Sequence, residues 1–149
     1  MNIVFAVMLM LALLIGLVTA GGPATAAAQI PPELRTVANT WAFLASMGRR
    51  CETRLQWQGY AGVHEDVCRD FERQYDRVTT EFLGAQDVFD TARSAADAAR
   101  SYAARVEWDL FLHEFQRSTQ QVFKAMDHII FLRESEAEKR KKPESRKKK

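Results

Sequence analysis

The chain has 149 residues, with 21 basic and 19 acidic side chains and a formal net charge of +2. This length predicts a single domain. The small net charge conceals a segregation, because residues 29–138 carry 13 basic and 18 acidic side chains, a net charge of −5, whereas residues 139–149 carry eight basic and one acidic, a net charge of +7. An acidic body without a basic reading helix argues against sequence-specific nucleic-acid recognition.

An apolar stretch occupies the N-terminus. Nearly every side chain in residues 3–18 is apolar, and no charged residue precedes Glu33. The run is shorter than the roughly 20 residues that a membrane span needs, and it suits a signal-peptide core. Two A-x-A cleavage sites follow, at residues 24–26 and 26–28. We expect residues 1–28 to be a cleaved signal peptide or, because no Lys or Arg precedes the apolar run, an uncleaved membrane anchor. Both predict an exported protein, periplasmic or secreted.

The body of the chain, residues 29–138, has the composition of an all-α domain. No proline occurs between Pro32 and Pro143, and Ala, Arg, Gln, Glu and Leu are plentiful, which favours helix. A first helix is predicted from about Pro32, because proline is tolerated in the first turn. Apolar or small residues then recur at alternating spacings of three and four, the pattern of a coiled-coil seam: Leu34, Val37, Trp41, Leu44, Gly48, Cys51 and Leu55.

A second apolar seam follows the predicted turn at residues 59–62. It passes through Gly84 without losing phase, and near Leu110 a stripe in a different register replaces it. The second seam comprises His64, Cys68, Phe71, Tyr75, Val78, Phe82, Ala85, Phe89, Ala92, Ala96, Ala99, Ala103, Val106 and Leu110. The later stripe comprises Trp108, Leu112, Phe115, Thr119, Val122, Met126 and Ile129.

Two architectures fit these patterns. In one, Gly84 and residues 116–119 are corners of a compact up-down four-helix bundle, with Ser118 and Gln121 capping the last helix. In the other, residues 63 to about 138 form one or two long helices of an elongated coiled-coil dimer. We predict an antiparallel helical hairpin or up-down bundle with coiled-coil-like seams and a long C-terminal helix.

The two cysteines are predicted to form a disulfide. Cys51 and Cys68 lie at similar distances on either side of the turn, and both occupy seam positions. Two such residues of an antiparallel hairpin face each other at the same height, which matches the Cα separation of about 4.4–6.8 Å that a disulfide requires. Zinc would need more ligands than His64 nearby supplies, and no C-x-x-C redox motif occurs.

Signals for catalysis and cofactors are missing from the sequence. The chain has no G-x-S-x-G motif, no glycine-rich phosphate loop and no Glu-x-x-His pair of a di-iron bundle. Asp109 and His113 are spaced as an ordinary helix pair. We therefore expect no enzyme activity, no metal or other cofactor and no small-molecule substrate.

Two regions are candidates for partner contact. Trp57 and Tyr60 lie at the hairpin tip, away from the seam. The C-terminal segment 139–149 is predicted to be a disordered basic tail, since from Glu134 onward only Ala137 is apolar. Its cations would attract an anionic membrane or another polyanion: Lys139, Arg140, Lys141, Lys142, Arg146, Lys147, Lys148 and Lys149.

The combined prediction is an exported, non-enzymatic α-helical interaction or structural protein of the cell envelope or extracellular space. Helix–helix association with a protein partner or a second copy would use the seams, and the tail would contact anionic surfaces. The alternative is a secreted helical ligand or effector that binds a receptor or polyanion through the hairpin tip and the tail.

Overall fold

The structure, a computed structural model, describes residues 30–81 and 84–146, with side chains as far as residue 141. The predictions for residues 1–28 lie outside this part of the chain. Within it the chain forms α-helices and no strand, so the all-α prediction is confirmed. The helices are α1 (Pro32–Gln58), α2 (Asp66–Glu81), α3 (Ala85–Ala98) and α4 (Tyr102–Arg146), and a 3-10 helix (Gly59–His64) connects α1 to α2.

Helix α1 begins where the sequence predicts. Pro32 occupies the first turn, where its missing N–H costs nothing, and Glu33 beside it complements the helix dipole. Every member of the first seam is buried, from Leu34 to Leu55. The 3-4 spacing therefore identified the face of α1 that packs into the core.

The four helices form a bundle with three positions, because α2 and α3 together occupy one of them. Trp41 and Phe115 lie 6.2 Å apart between ring centroids, and Glu52 lies 3.3 Å from His128, so α1 and α4 run in the same direction. The hairpin reverses α2 against α1. Helix α3 packs on the first half of α4, where Phe89 lies 4.9 Å from Phe115. Helices α2 and α3 thus follow one another along α4, and both run antiparallel to it.

Gly48 of α1 lies against side chains of both α2 and α4. A Cβ atom at this position would lie 3.2 Å from the Phe71 ring and 3.3 Å from the Cβ of Ala125. Both of these neighbours are buried. The glycine in the seam therefore provides room for the aromatic ring of α2.

The two predicted corners have different outcomes. The break at Gly84 is confirmed, since α2 ends at Glu81 and α3 begins at Ala85. The corner at residues 116–119 is wrong, because α4 passes through it without interruption. The Ser118 hydroxyl donates a hydrogen bond to the Glu114 carbonyl inside the helix instead of capping a new one.

The corner that the sequence analysis missed lies between α3 and α4. Ala99 has extended backbone, with φ −64° and ψ 122°. The hydroxyl oxygen of Ser101 accepts a hydrogen bond from the Ala104 N–H at 3.1 Å, which caps the start of α4. Beyond this turn the second seam no longer marks the buried face. Leu110, its last member, is 60% exposed, whereas Trp108 and Phe115 of the later stripe are buried.

The prediction of a disordered tail at residues 139–149 differs from the structure over the part that is described, where α4 continues to Arg146. Glu136 accounts for part of the difference, because its carboxylate lies 3.9 Å from Lys139 Nζ and 3.5 Å from Arg140 Nε. Such pairs at i+3 and i+4 stabilise a helix that buries no face. Lys147, Lys148 and Lys149 lie outside the described residues.

Candidate interaction surfaces

A disulfide joins Cys51 of α1 to Cys68 of α2, as the sequence predicts. The two Cα atoms lie 4.7 Å apart, and both side chains are completely buried. The bond fixes the crossing of the two helices beside the 3-10 helix. It also removes both thiols of the chain from redox or metal chemistry in the folded, oxidised protein.

Two glycines shape the end of the hairpin. Gly59 ends α1 with φ +56°, a conformation that other residues rarely adopt, and its N–H donates to the Leu55 carbonyl. Gly62 is buried against the last turns of α1. A Cβ atom there would lie 2.8 Å from the Arg54 carbonyl oxygen, so only glycine allows this close approach.

The two aromatic residues of the predicted contact patch have different environments. Tyr60 is half-buried, packs against the core and makes an edge contact with the His64 ring at 5.0 Å. Trp57, in contrast, is 83% exposed. It borders a cleft of about 540 Å³ between α1 and the start of α2, which is lined by Arg50, Thr53, Arg54, Trp57, Glu65, Asp66 and Val67.

Trp57 belongs to a line of side chains that sequence analysis overlooked. Phe43, Arg50 and Trp57 recur every seven residues on the face of α1 opposite the seam, and Phe43 is 62% exposed. Asn39, Ser46 and Thr53 lie between them at spacings of three and four. We call these six residues the outer stripe. Its 3-4 spacing was visible in the sequence, but the apolar seam on the other face dominated the pattern.

A polar cluster between α1 and α4, centred on the buried Glu52, was also missed. The Glu52 side chain is only 10% exposed, and its Oε1 lies 3.3 Å from His128 Nδ1 and 3.6 Å from Lys124 Nζ. Buried carboxylates require such partners. The cluster aligns α1 with α4. It joins residues more than 70 positions apart, so it could not be predicted from the spacing of residues along one helix.

A second long-range ion pair connects α2 to α4. The Arg133 guanidinium donates two hydrogen bonds to the Glu72 carboxylate, at 2.6 and 2.9 Å.

One turn further along α2, burial raises the pKa of the Tyr75 phenol, and the nearby carboxylates of Asp76 and Asp127 add to the effect.

The predicted cations of the tail are exposed as far as their side chains are described, which includes Lys139, Arg140 and Lys141. Lys142 and Arg146 fall on the last turns of α4. No group of three or more potential metal ligands occurs in the described part of the chain. Likewise, none of its helices is both long and apolar enough to cross a membrane.

Comparison of the chain with protein-family models, with curated proteins and with solved structures found no match.

Proposed function

We propose that this chain is an exported, non-enzymatic α-helical interaction protein of the cell envelope or extracellular space. The observation that carries the proposal is the buried Cys51–Cys68 disulfide, which uses every cysteine of the chain. Disulfides persist in oxidising compartments and are rare in the cytosol. Together with the apolar run at residues 3–18, the bond supports export.

Export is tested with a reporter that depends on the N-terminus. Residues 1–31 are fused to an alkaline phosphatase that lacks its own signal, and the matched control carries Leu11→Arg and Leu14→Arg. The expected result is phosphatase activity with the natural residues and little with the control, because two charges disrupt the apolar core. Equal activity of both fusions would contradict export through this segment.

The form of the N-terminus decides between a soluble and an anchored protein. Cleavage after Ala26 or Ala28, seen in the intact mass of the exported chain, would indicate a soluble mature protein. An intact N-terminus in the membrane fraction would indicate the anchor formed by residues 3–18.

The basic end of α4 supports contact with anionic surfaces. Residues 137–141 are all exposed, so their cations are available to a partner. Each basic residue near an anionic membrane contributes about 1 kcal/mol. Binding to vesicles with and without anionic lipid, and to heparin, is compared for the natural chain and for a variant with the eight cations of residues 139–149 changed to glutamine. Retention of salt-sensitive binding by the variant would contradict this role.

The exposed indole of Trp57 favours a second candidate, a secreted ligand or effector that binds a receptor through the hairpin tip. An exposed tryptophan beside arginines is typical of residues that dominate binding interfaces. The two candidates differ in where the mature chain accumulates. Recovery free in the medium favours the effector, and retention with the envelope favours the structural interaction protein.

A further inference from the structure

We propose that the outer stripe of α1 is a docking surface for an acidic amphipathic helix of a protein partner. This inference rests on the proposed function and names the kind of partner that α1 recognises. Phe43 and Trp57 are 62% and 83% exposed, and their 14-residue separation corresponds to about 21 Å along a helix. Both side chains lie on the solvent-facing side of α1, where they are open to a partner.

A helical partner segment suits the outer stripe, because the stripe is one face of a single helix. Large side chains at positions 43, 50 and 57 alternate with the smaller Asn39, Ser46 and Thr53. A second helix packs on such a 3-4 pattern by inserting its own side chains between the large ones. Phe43 also borders a cleft of about 440 Å³ between α1 and α2, which offers room for one inserted side chain at that end of the stripe.

The charge of α1 indicates that the partner helix is acidic. Helix α1 carries four basic and two acidic residues, a net charge of +2, whereas residues 59–138 carry nine basic and 16 acidic, a net charge of −7. One of the two acids of α1, Glu52, is buried. Helix α1 is therefore positively charged, whereas residues 59–138 are acidic.

Two arginines in the second half of α1, Arg50 of the outer stripe and the nearby Arg54, are available to a partner. Within the described residues, Arg50 and Arg54 form no ion pair at 4.0 Å or less. The acids across the cleft are Glu65 and Asp66, and Asp66 is paired with Arg69. A carboxylate that enters the cleft would contact two guanidiniums, which bind carboxylates with defined geometry.

The same charges disfavour pairing of the outer stripe with the outer stripe of a second copy. In a parallel pair of α1 helices Arg50 faces Arg50, and an antiparallel pair centred on the stripe again brings the arginines of both copies together. Like charges opposed at an interface are repulsive, and the stripe itself contains no acid that would compensate.

The experiment uses the purified, disulfide-bonded chain and two designed peptides about three heptads long. Both have leucine at the first and fourth positions of each heptad; the first has glutamate at the flanking positions and the second lysine. Trp57 reports binding selectively, because Trp41 and Trp108 are only 2% and 7% exposed. The acidic peptide should shift the tryptophan emission to the blue and protect it from iodide quenching, and the basic peptide should do neither.

Variants locate the site. Binding of fluorescently labelled acidic peptide, followed by anisotropy, should weaken by about tenfold or more in Arg50→Glu/Arg54→Glu and in Phe43→Ala, as for residues that carry much of the binding energy of an interface. The matched controls are Arg93→Glu, a charge reversal on α3, and Leu110→Ala, the loss of an exposed apolar side chain on α4. Both should change the affinity by less than about twofold. Circular dichroism of each variant confirms the helical fold.

Loss of affinity confined to Arg50→Glu/Arg54→Glu and Phe43→Ala supports the proposal. Absence of binding, equal binding of both peptides, or equal losses in the controls would overturn it. Light scattering at two concentrations adds a further outcome, because self-association that the Arg50→Glu/Arg54→Glu change alters would make a second copy the occupant and overturn the acidic partner. These failures differ from failure of the proposed function, which would appear as an inactive export reporter.

Discussion

Removal of the disulfide by the double substitution Cys51→Ala/Cys68→Ala should destabilise the protein by about 3 kcal/mol. The bond joins residues 17 positions apart, and in the chain-entropy model a loop of this length loses about that much unfolded-state entropy when it is closed. A loss of 3 kcal/mol increases the ratio of unfolded to folded protein by roughly 100-fold. For a domain of this size it lowers Tm by about 10–20 °C.

The assay is urea unfolding of the oxidised chain, the chemically reduced chain and the double variant, followed by circular dichroism. Reduction removes only the cross-link, whereas the variant also leaves small voids at two completely buried positions. The variant should therefore be equal to or slightly less stable than the reduced chain, and the slope of free energy against urea should increase as the unfolded state expands. A loss below about 1 kcal/mol in both would refute the reasoning.

Three further predictions follow from single contacts. Gly62→Ala should destabilise by about 1–3 kcal/mol, measured by urea unfolding, because its Cβ would meet the Arg54 carbonyl oxygen at 2.8 Å. Arg133→Met, which keeps the stem of the side chain but removes the two hydrogen bonds to Glu72, should cost about 1 kcal/mol in the same assay, since the arginine is half-exposed. The pKa of Tyr75 is raised in the folded state, so the unfolded state loses the phenol proton first. The free energy of unfolding should therefore decrease as the pH rises above about 10. Tyr75→Phe should remove this part of the dependence of stability on pH.

Each of these predictions has a control or a contradicting result. Gly84→Ala should cost less than about 1 kcal/mol, since its Cβ would meet only the flexible Asp87 carboxylate, and an equal effect at both glycines would contradict the steric argument. Full stability of Arg133→Met would show that the Glu72 pair contributes nothing. Identical pH profiles above pH 10 for the natural chain and Tyr75→Phe would remove Tyr75 as the cause.

The hairpin and its disulfide could be predicted because both depend on local spacing. The 3-4 seam identifies the buried face of α1, and the positions of Cys51 and Cys68 on either side of the glycine-rich turn place them opposite each other. The turn itself is a six-residue 3-10 helix. His64, assigned to the second seam, lies in it and is exposed.

The position of the last corner could not be predicted because helix propensity opposes it. Ala99 and Arg100 favour helix, and Ser101 is the only capping residue at the turn. The change of register near Leu110 did signal a new helix, but it appeared some residues after the true start at Tyr102. The Ser118 hydroxyl, which resembled a cap, bonds to the Glu114 carbonyl within α4.

The candidate interaction surfaces depend more than the helices do on contacts between residues that are far apart in the sequence. Exposure of Trp57 followed from its position off the seam, but burial of Tyr60 against the core did not. The Glu52 cluster and the Arg133–Glu72 pair join helices that are far apart in sequence. The spacing of the outer stripe is present in the sequence, but the exposure of Phe43 on the same face as Trp57 depends on how α1 packs in the bundle.

The thiol state of the chain in the cell that produces it tests the central claim of an exported, disulfide-bonded protein most directly. Cells are lysed in acid to prevent exchange, and a maleimide that adds mass to free thiols is applied before and after reduction. No label is expected on Cys51 or Cys68 before reduction, and two labels are expected after it, in the exported fraction. Two labels before reduction, on chain recovered from the cytosol, would contradict the claim.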